Sequence, residues 1–281
     1  MFYLIMLKKV STFMNNRQRI INTVLCKEID RLPLAFYFPP WDETLKRWKC
    51  EGLEDDKSWE QELGLDPGFI HVDVNLGYSP AFDYEEIEDR KNTKIIRDEF
   101  GIIKEISKVG TTIPRYIEYP VKNSEDWEKL EKERLDPDDG RRFPDDWNKK
   151  VIEYNAGDKV VQLGWYPYGL FGTLRDMMGA EELLVSFYEQ PELIHDMMDY
   201  LTDFWIKIYE KVCKDVKVDA IHMWEDMSGK NGSLISPKMV REFMAPNYKK
   251  IKAFADSYDI PIFSLDTDGD CSELVPIFME C

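Results

Sequence analysis

The chain has little of what most cofactor and disulfide motifs need. Its five cysteines, Cys26, Cys50, Cys213, Cys271 and Cys281, are scattered singly over 281 residues. The number is odd and no C-x-x-C pair occurs, so neither a disulfide framework nor a zinc knuckle is indicated, and a reducing compartment is the simpler setting. No G-x-G-x-x-G follows a strand-like run and no G-x-x-x-x-G-K-[ST] occurs, which removes support from nucleotide-binding α/β sheets. Basic residues are outnumbered, 37 Lys and Arg against 54 Asp and Glu, for a net charge of −17. Such a surface repels nucleic acid and anionic membranes, and any free polyanion unless the pocket is locally basic. The apolar start, Met1 to Lys9, is too short to span a bilayer, and its positive charges follow it rather than precede it. The expected setting is the cytoplasm, with no membrane and no nucleic-acid partner.

What is present is core-forming material. Hydrophobic residues make up 43%, aromatic residues 13%, and there are eight tryptophans, so disorder of the whole chain is not expected. The length suits one large α/β domain. Met14 opens a better helix than Met1 does. Residues 1–13 therefore read as a disordered extension or a misassigned start, and 14–281 as the domain.

Asn15 and Asn16 are good N-caps for a helix to about Lys27. Arg31 to Phe38 is an apolar run of strand length, ended by Pro39 and Pro40. A helix is expected from Trp41 to Gly52 and a second buried-type strand from Phe69 to Val74. From about 82 to 120 the pattern changes to a β-hairpin insertion. Lys94–Asp98 and Ile102–Ser107 are its arms, Gly101 sits in the turn, and Thr111–Pro114 is a further candidate strand. Ser124 opens a capped helix, and Asp136–Asp146 is the most loop-like stretch. Alternation then resumes. Strands are expected at Lys159–Gly164, Val218–Trp224 and Ile260–Leu265. Helices are expected at 173–178, 180–189, 191–212, from Ser236-Pro237 to about Ser257, and at 272–280. Strands separated by long helices pair in parallel through right-handed crossovers. About five such units are counted, which fits an open doubly wound sheet or a barrel.

In parallel α/β folds functional residues gather where strands end. The first strand is followed by Tyr37 and Trp41, the second by Asp73 and Asn75. The third runs into Gly164-Trp-Tyr-Pro-Tyr-Gly-Leu-Phe-Gly172, with Tyr166, Tyr168 and then Arg175. The fourth ends in His222, Trp224, Glu225 and Asp226, and the fifth in Asp266, Asp268 and Asp270. A mouth of tyrosines, tryptophans and carboxylates suits a large, flat, partly apolar ligand with polar edges. Glu225, Asp226, Asp266 and His222 are the acid–base candidates. Tyr37, Trp41, Asp73, Asn75, Tyr166, Tyr168, Arg175, Trp224 and Asp268 are the substrate-binding candidates. Each has a plainer alternative. Glu225 or Asp226 could cap the next helix or pair with Lys230, His222 could be a hydrogen-bonded core residue, and Asp270 suits an Asx-turn or N-cap. The glycine–aromatic segment could be only a tight turn. His71 and His195 read as structural or surface residues. Asp266, Asp268 and Asp270 around Gly269 could bind a hard cation or position a substrate, but D-x-D-G-D lacks the rest of an EF-hand loop, so no metal is expected.

Several segments resemble the uroporphyrinogen decarboxylase superfamily. Asn15-Asn-Arg-Gln-Arg-Ile, followed by Glu28-Ile-Asp-Arg-Leu-Pro33, is similar to the family's opening. Trp224-Glu-Asp-Met-Ser-Gly-Lys-Asn-Gly-Ser-Leu-Ile-Ser-Pro237 and Arg241-Glu-Phe-Met-Ala-Pro246 resemble its fourth-strand region. Leu265-Asp-Thr-Asp-Gly-Asp270, with Leu274 and Pro276, is similar to the fifth strand of its corrinoid-methyltransferase-like branch. The resemblance implies a TIM-type (β/α)8 barrel with its site at the C-terminal mouth. It further implies either tetrapyrrole decarboxylation or methyl transfer with a corrinoid protein. The decarboxylase's arginine-rich R-Q-A-G-R segment is replaced here by Phe36–Glu43, which lacks arginine. The thiol methyltransferases' zinc-binding H-x-C pair is replaced by Ser264 and Asp266. The expectation is therefore corrinoid-dependent methyl transfer, with no tightly bound cofactor and the corrinoid supplied by a partner protein. The small-molecule partner is a methyl donor or a tetrapyrrole. Tetrapyrrole decarboxylation is the runner-up, and an inactive fragment that docks a corrinoid protein is the third reading. With about five units where a closed barrel needs eight, the barrel is expected to be C-terminally incomplete, and a homo-oligomer is a further expectation.

Overall fold

The computed structural model describes residues 14–54, 58–110 and 112–281. The protein is α/β and divides into two compact units. The described residues up to Ile70, with Ala156–Val160, form the first; His71–Asn155 with Val161–Cys281 form the second. The expected extension over 1–13 lies outside the described residues, as does Thr111. The strands are β1 (Phe69–His71), β2 (Glu85–Asp89), β3 (Thr93–Arg97), β4 (Ile103–Ser107), β5 (Arg115–Glu118), β6 (Val160–Leu163), β7 (Ala220–Trp224), β8 (Ser228–Gly229), β9 (Gly232–Ser233) and β10 (Ile262–Asp266). No helix among the described residues is long and apolar enough to cross a membrane.

In the first unit, helix Asn16–Val24 starts as its sequence predicts, with the Asn15 side chain accepting from Gln18 N–H. The expected strand at Arg31–Phe38 is not one. Pro33 has no N–H to give a ladder, and Leu34 spends both backbone groups on Asp66, donating to its Oδ2 (2.8 Å) and accepting from its N–H (2.8 Å). Arg31 fixes Asp66 in a two-pronged ion pair and pulls its carboxyl down to about 2. Alternate side chains of this extended run stay in solvent, with Leu32 73% and Phe36 60% exposed.

The second unit holds the parallel sheet. β6 pairs with β7 (Gln162 opposite Ala220), and β7 pairs with β10 along its length (Ala220 opposite Ile262 to Trp224 opposite Asp266). On the other side of β6, Val72 N–H donates to Gln162 O. All of β6 and all but the last residue of β7 are buried. Such strands read as continuous apolar runs because helices cover both faces, which is why they were visible in the sequence. The crossover between β6 and β7 carries helices Leu170–Met178, Ala180–Glu189 and Pro191–Cys213. The last is amphipathic and buries Phe204, Trp205, Ile208 and Tyr209.

The insertion is larger than a hairpin. β2, β3, β4 and β5 form an antiparallel sheet in sequence order. The last strand lies at Arg115–Glu118 rather than before Pro114, because proline cannot donate to the ladder. Helix Trp147–Ala156 was not foreseen behind the aspartate- and proline-rich loop. That loop is ordered by Arg142, whose buried guanidinium donates to the carbonyls of Asn75, Gly77, Arg134 and Asp136 and covers the Phe204 ring. The helix expected from Pro237 to Ser257 is broken by a π-helical turn at Val240–Met244. Pro246, with no N–H, cannot continue the α ladder there.

Candidate active site

The geometry begins with the glycine that ends β6. Gly164 has φ +75°, and a Cβ there would stand 2.1 Å from His222 O. Only glycine tolerates both the left-handed turn and so close a backbone. Gly164→Ala is expected to cost about 2–3 kcal/mol, mainly as overpacking and backbone strain. Thermal unfolding of the variant checks this, and an unchanged melting temperature would contradict the packing described.

Glycine recurs at the start of helix Leu170–Met178. A Cβ on Gly169 or Gly172 would stand 1.9 or 2.2 Å from Trp224 O. The glycines of the aromatic segment therefore serve the approach of this helix to the end of β7. A glycine N-cap offers no side chain to the first helical N–H groups, and Glu225 supplies one instead. Its Oε1 accepts from Leu170 N–H (3.0 Å) and the Tyr248 hydroxyl (2.8 Å). Its Oε2 accepts from Phe171 N–H (2.6 Å) and Gly172 N–H (3.4 Å). Glu225 is fully buried, and desolvation pushes its carboxyl up to about 7 against the pull of those four donors. Glu225 thus caps a helix that precedes it in the chain, not the next one. The carboxylate has no face open to a ligand, so it positions the helix that carries Arg175.

The mouth itself is formed where β7 and β10 end. His222 Nδ1 lies 3.0 Å from Ser264 Oγ. The Ser264 hydroxyl donates to Ile221 O (3.4 Å), which leaves its oxygen to accept from Nδ1–H and leaves Nε2 facing Asp266 Oδ2 at 3.8 Å. His222 is buried, and desolvation together with His71 pushes it down to about 4, so the imidazole is neutral. Asp266 is half-buried and raised to about 6, by desolvation first and then by the charges of Asp226 and Asp268. Its Oδ1 is buried with no hydrogen-bond partner. A proton-holding carboxyl beside a neutral imidazole is an arrangement fit for acid–base work.

A second cluster adjoins it. Arg175 Nη1 donates to Asp226 Oδ2 (2.5 Å) and to Asp226 O (3.0 Å). That bond helps hold Asp226 in a left-handed conformation, φ 42°. The Arg175 guanidinium lies 4.7 Å over the Trp224 ring, and Tyr166 meets the same ring edge-on at 4.6 Å. Asp176, the residue after Arg175, is raised to about 6, mainly by desolvation. Sequence reasoning passed over it because it sits inside a helical pattern. Its one signal was its place directly after Arg175 and the glycine–aromatic segment.

Other candidates go elsewhere. Tyr37 and Trp41 belong to the first unit, where Tyr37 packs edge-on against Phe69 and Trp41 precedes helix Asp42–Glu51. Asp73 is exposed and paired with Lys150 (3.0 Å). Asn75 is spent on a turn, donating to Tyr78 O and accepting from Gly77 N–H. Tyr168 turns inward, its hydroxyl against Gly77 and its ring near Trp205. Asp268 is exposed. Asp270 accepts from the Ser272 N–H and hydroxyl, as expected of a turn residue. His195 stacks on Phe243. His71 lies 4.0 Å from the Trp165 ring and is half-buried next to the mouth. Among the described residues no group of three His, Cys, Asp or Glu side chains converges as a metal site.

The molecule resembles known proteins in two ways. Its fold is shared with a methyltransferase from Methanosarcina mazei, at a TM-score of 0.53 and 15% sequence identity, covering 96% of this chain and 74% of that one. No curated protein matches the chain. The family model for uroporphyrinogen decarboxylase (URO-D) matches residues 98–265. That stretch is more than half of the sequence and contains both the glycine–aromatic turn and the Trp224–Pro237 motif, so the chain belongs to the uroporphyrinogen decarboxylase (URO-D) family.

Proposed function

We propose that the chain is an enzyme that transfers a methyl group between a corrinoid carried by a partner protein and a small molecule, with Asp266 as its acid–base group. The observation that carries this reading is the Asp266 carboxyl, half-open at the end of β10, with one oxygen unpartnered and the other 3.8 Å from His222 Nε2. The parallel sheet is read as part of a (β/α)8 barrel, the fold the sequence resemblance implies, whose mouth is the place for chemistry. Likeness of fold to a methyltransferase supports methyl transfer over other reactions of the family. Uroporphyrinogen decarboxylation is the reading the family name favours. It needs cationic groups to hold a polycarboxylate, and Phe36–Glu43 offers no arginine while the mouth is rich in aspartate.

The rings of Tyr166 and Trp224 suit a flat, largely apolar macrocycle. A corrinoid supplies a cobalt centre able to accept or give a methyl group. The chain's own part is proton handling. Asp266, protonated below about 6, gives its proton to the departing heteroatom of a methyl donor. Neutral His222, oriented by Ser264, stands 3.8 Å from the Asp266 carboxyl and adds no charge beside it. Trp224 and Tyr166 exclude water from one side.

The test is spectroscopic. Purified chain is mixed with methylcobalamin and with cob(I)alamin, and the visible spectrum is followed with a panel of thiols, methoxylated compounds and methylated amines. A protein-dependent spectral change is expected. No change in a sample shown by circular dichroism to be folded would overturn methyl transfer. A chain that binds a corrinoid protein without turnover would favour a docking role.

A further inference from the structure

A cavity of about 320 Å³ lies between the inserted sheet and helix Ser124–Arg134. Small-molecule sites start at about that size, roughly 300–1,000 Å³. One wall is a single face of the helix. Asp126, Lys129, Leu130, Glu133 and Arg134 recur at the three- and four-residue spacing that sets side chains above one another. The facing wall holds Phe82, Ile103 and Tyr119. That wall is tied down from behind. Val121 N–H donates to Met177 O (3.0 Å), and the Tyr119 ring packs so close to Gly179 that a Cβ there would stand 2.5 Å from it.

Seven charged side chains line the cavity, and five of them are spent. Arg97 pairs with Glu85 (2.6 Å) and Lys122 with Glu118 (2.5 Å). Asp126 stands in the first turn of the helix, where its Oδ2 accepts from Lys122 N–H (3.0 Å) and the helix N-terminus answers its charge. Arg134 stands in the last turn, 4.0 Å over the Phe82 ring, with Nη1 donating to the carbonyls of Pro80 and Ala81. Lys129 and Glu133 are left. Among the described residues neither has a hydrogen bond or an ion pair. They sit one helical turn apart on the wall of one cavity, so it offers one unanswered charge of each sign and no surplus of either.

That balance selects the ligand. A simple anion or a simple cation would meet a like charge beside the opposite one. A molecule that carries both charges close together answers both. We propose that the cavity binds an α-amino acid with an aromatic side chain. Its carboxylate lies at Lys129 and its ammonium at Glu133. Its ring lies against Phe82 and Tyr119, where aromatic pairs gain beyond the area they bury. The binding does not depend on the proposed methyl transfer.

Titration calorimetry on the full chain at pH 7 tests this with three probes that share one ring. L-Phenylalanine carries both charges, phenethylamine only the ammonium and 3-phenylpropionate only the carboxylate. Phenylalanine is expected to bind with a Kd of about 0.1–1 mM. Each of the other two should bind about tenfold more weakly, since each loses one charged partner and leaves a like charge unscreened. Lys129→Met and Glu133→Gln should each weaken phenylalanine by about fivefold, the scale of a solvent-exposed ion pair. Both side chains are exposed, so neither variant endangers folding. No saturable binding of phenylalanine to the folded chain, equal binding of either comparator, or unchanged binding in either variant would overturn the proposal.

Discussion

Glu225→Ala is expected to lower stability by about 3–5 kcal/mol, because it leaves buried donors without an acceptor. Three are backbone N–H groups at the start of helix Leu170–Met178 and the fourth is the Tyr248 hydroxyl. For a chain of this size that corresponds to a fall of about 10 °C in melting temperature. Glu225→Gln keeps one acceptor oxygen and should lose roughly half as much, and Tyr248→Phe about 1 kcal/mol. The pH dependence carries a second signature. The carboxyl is raised to about 7 in the fold from an ordinary value of 4.5. A raised group binds its proton more tightly when folded, so its contribution is fully present below 4.5 and is lost as pH rises through 7. Asp176 and Asp266 share that sign. His71 and His222, both lowered to about 4, have the opposite one, their contribution being lost as pH falls from 6.5 through 4. The Glu225 part is therefore read as the difference between the wild type and Glu225→Gln, which should be largest below about 4.5 and shrink as pH rises through 7. Denaturant unfolding across pH 4–8 checks it, and a pH-independent difference would contradict the burial of this carboxyl.

Asp266→Asn is expected to leave the fold standing and to slow methyl transfer by about 10²- to 10⁴-fold. The side chain is half-buried and its Oδ1 has no partner to lose, so stability should change by less than about 1 kcal/mol. Asparagine cannot give up a proton, which is why the cost falls on the rate. His222→Asn should act in the same direction but less, since it changes the neutral imidazole beside the carboxyl rather than removing the proton itself. Stopped-flow absorbance at saturating substrate gives the rates. An Asp266→Asn enzyme as fast as the wild type would remove Asp266 from the chemistry.

The two predictions also mark what the sequence could and could not reveal. Glu225 and Asp266 stood equal as strand-end carboxylates. What separates them is the third dimension. Gly169 and Gly172 admit Trp224 O so closely that the helix start lands on Glu225 and seals it, whereas β10, among the described residues, has a paired neighbour on one side only and leaves Asp266 half-open. β6 and β7 were legible because burial on both faces writes an unbroken apolar run. The same signal misled at Arg31–Phe38, where Pro33 and Asp66 take up the backbone groups a ladder would need. Asp73 and Asn75 were read as a strand end open to ligand, but Lys150 and a local turn claim them. Asp176 left no mark in the periodicity.

The most direct test of the account is the pH profile of the corrinoid spectral change, measured for the wild type and for Asp266→Asn. Asp266 gives its proton from a carboxyl raised to about 6, so the wild-type rate should fall as pH rises through that value. Asp266→Asn should be slow throughout and lose that limb. A variant that keeps both the wild-type rate and its fall near pH 6 would contradict the assignment of the proton to Asp266.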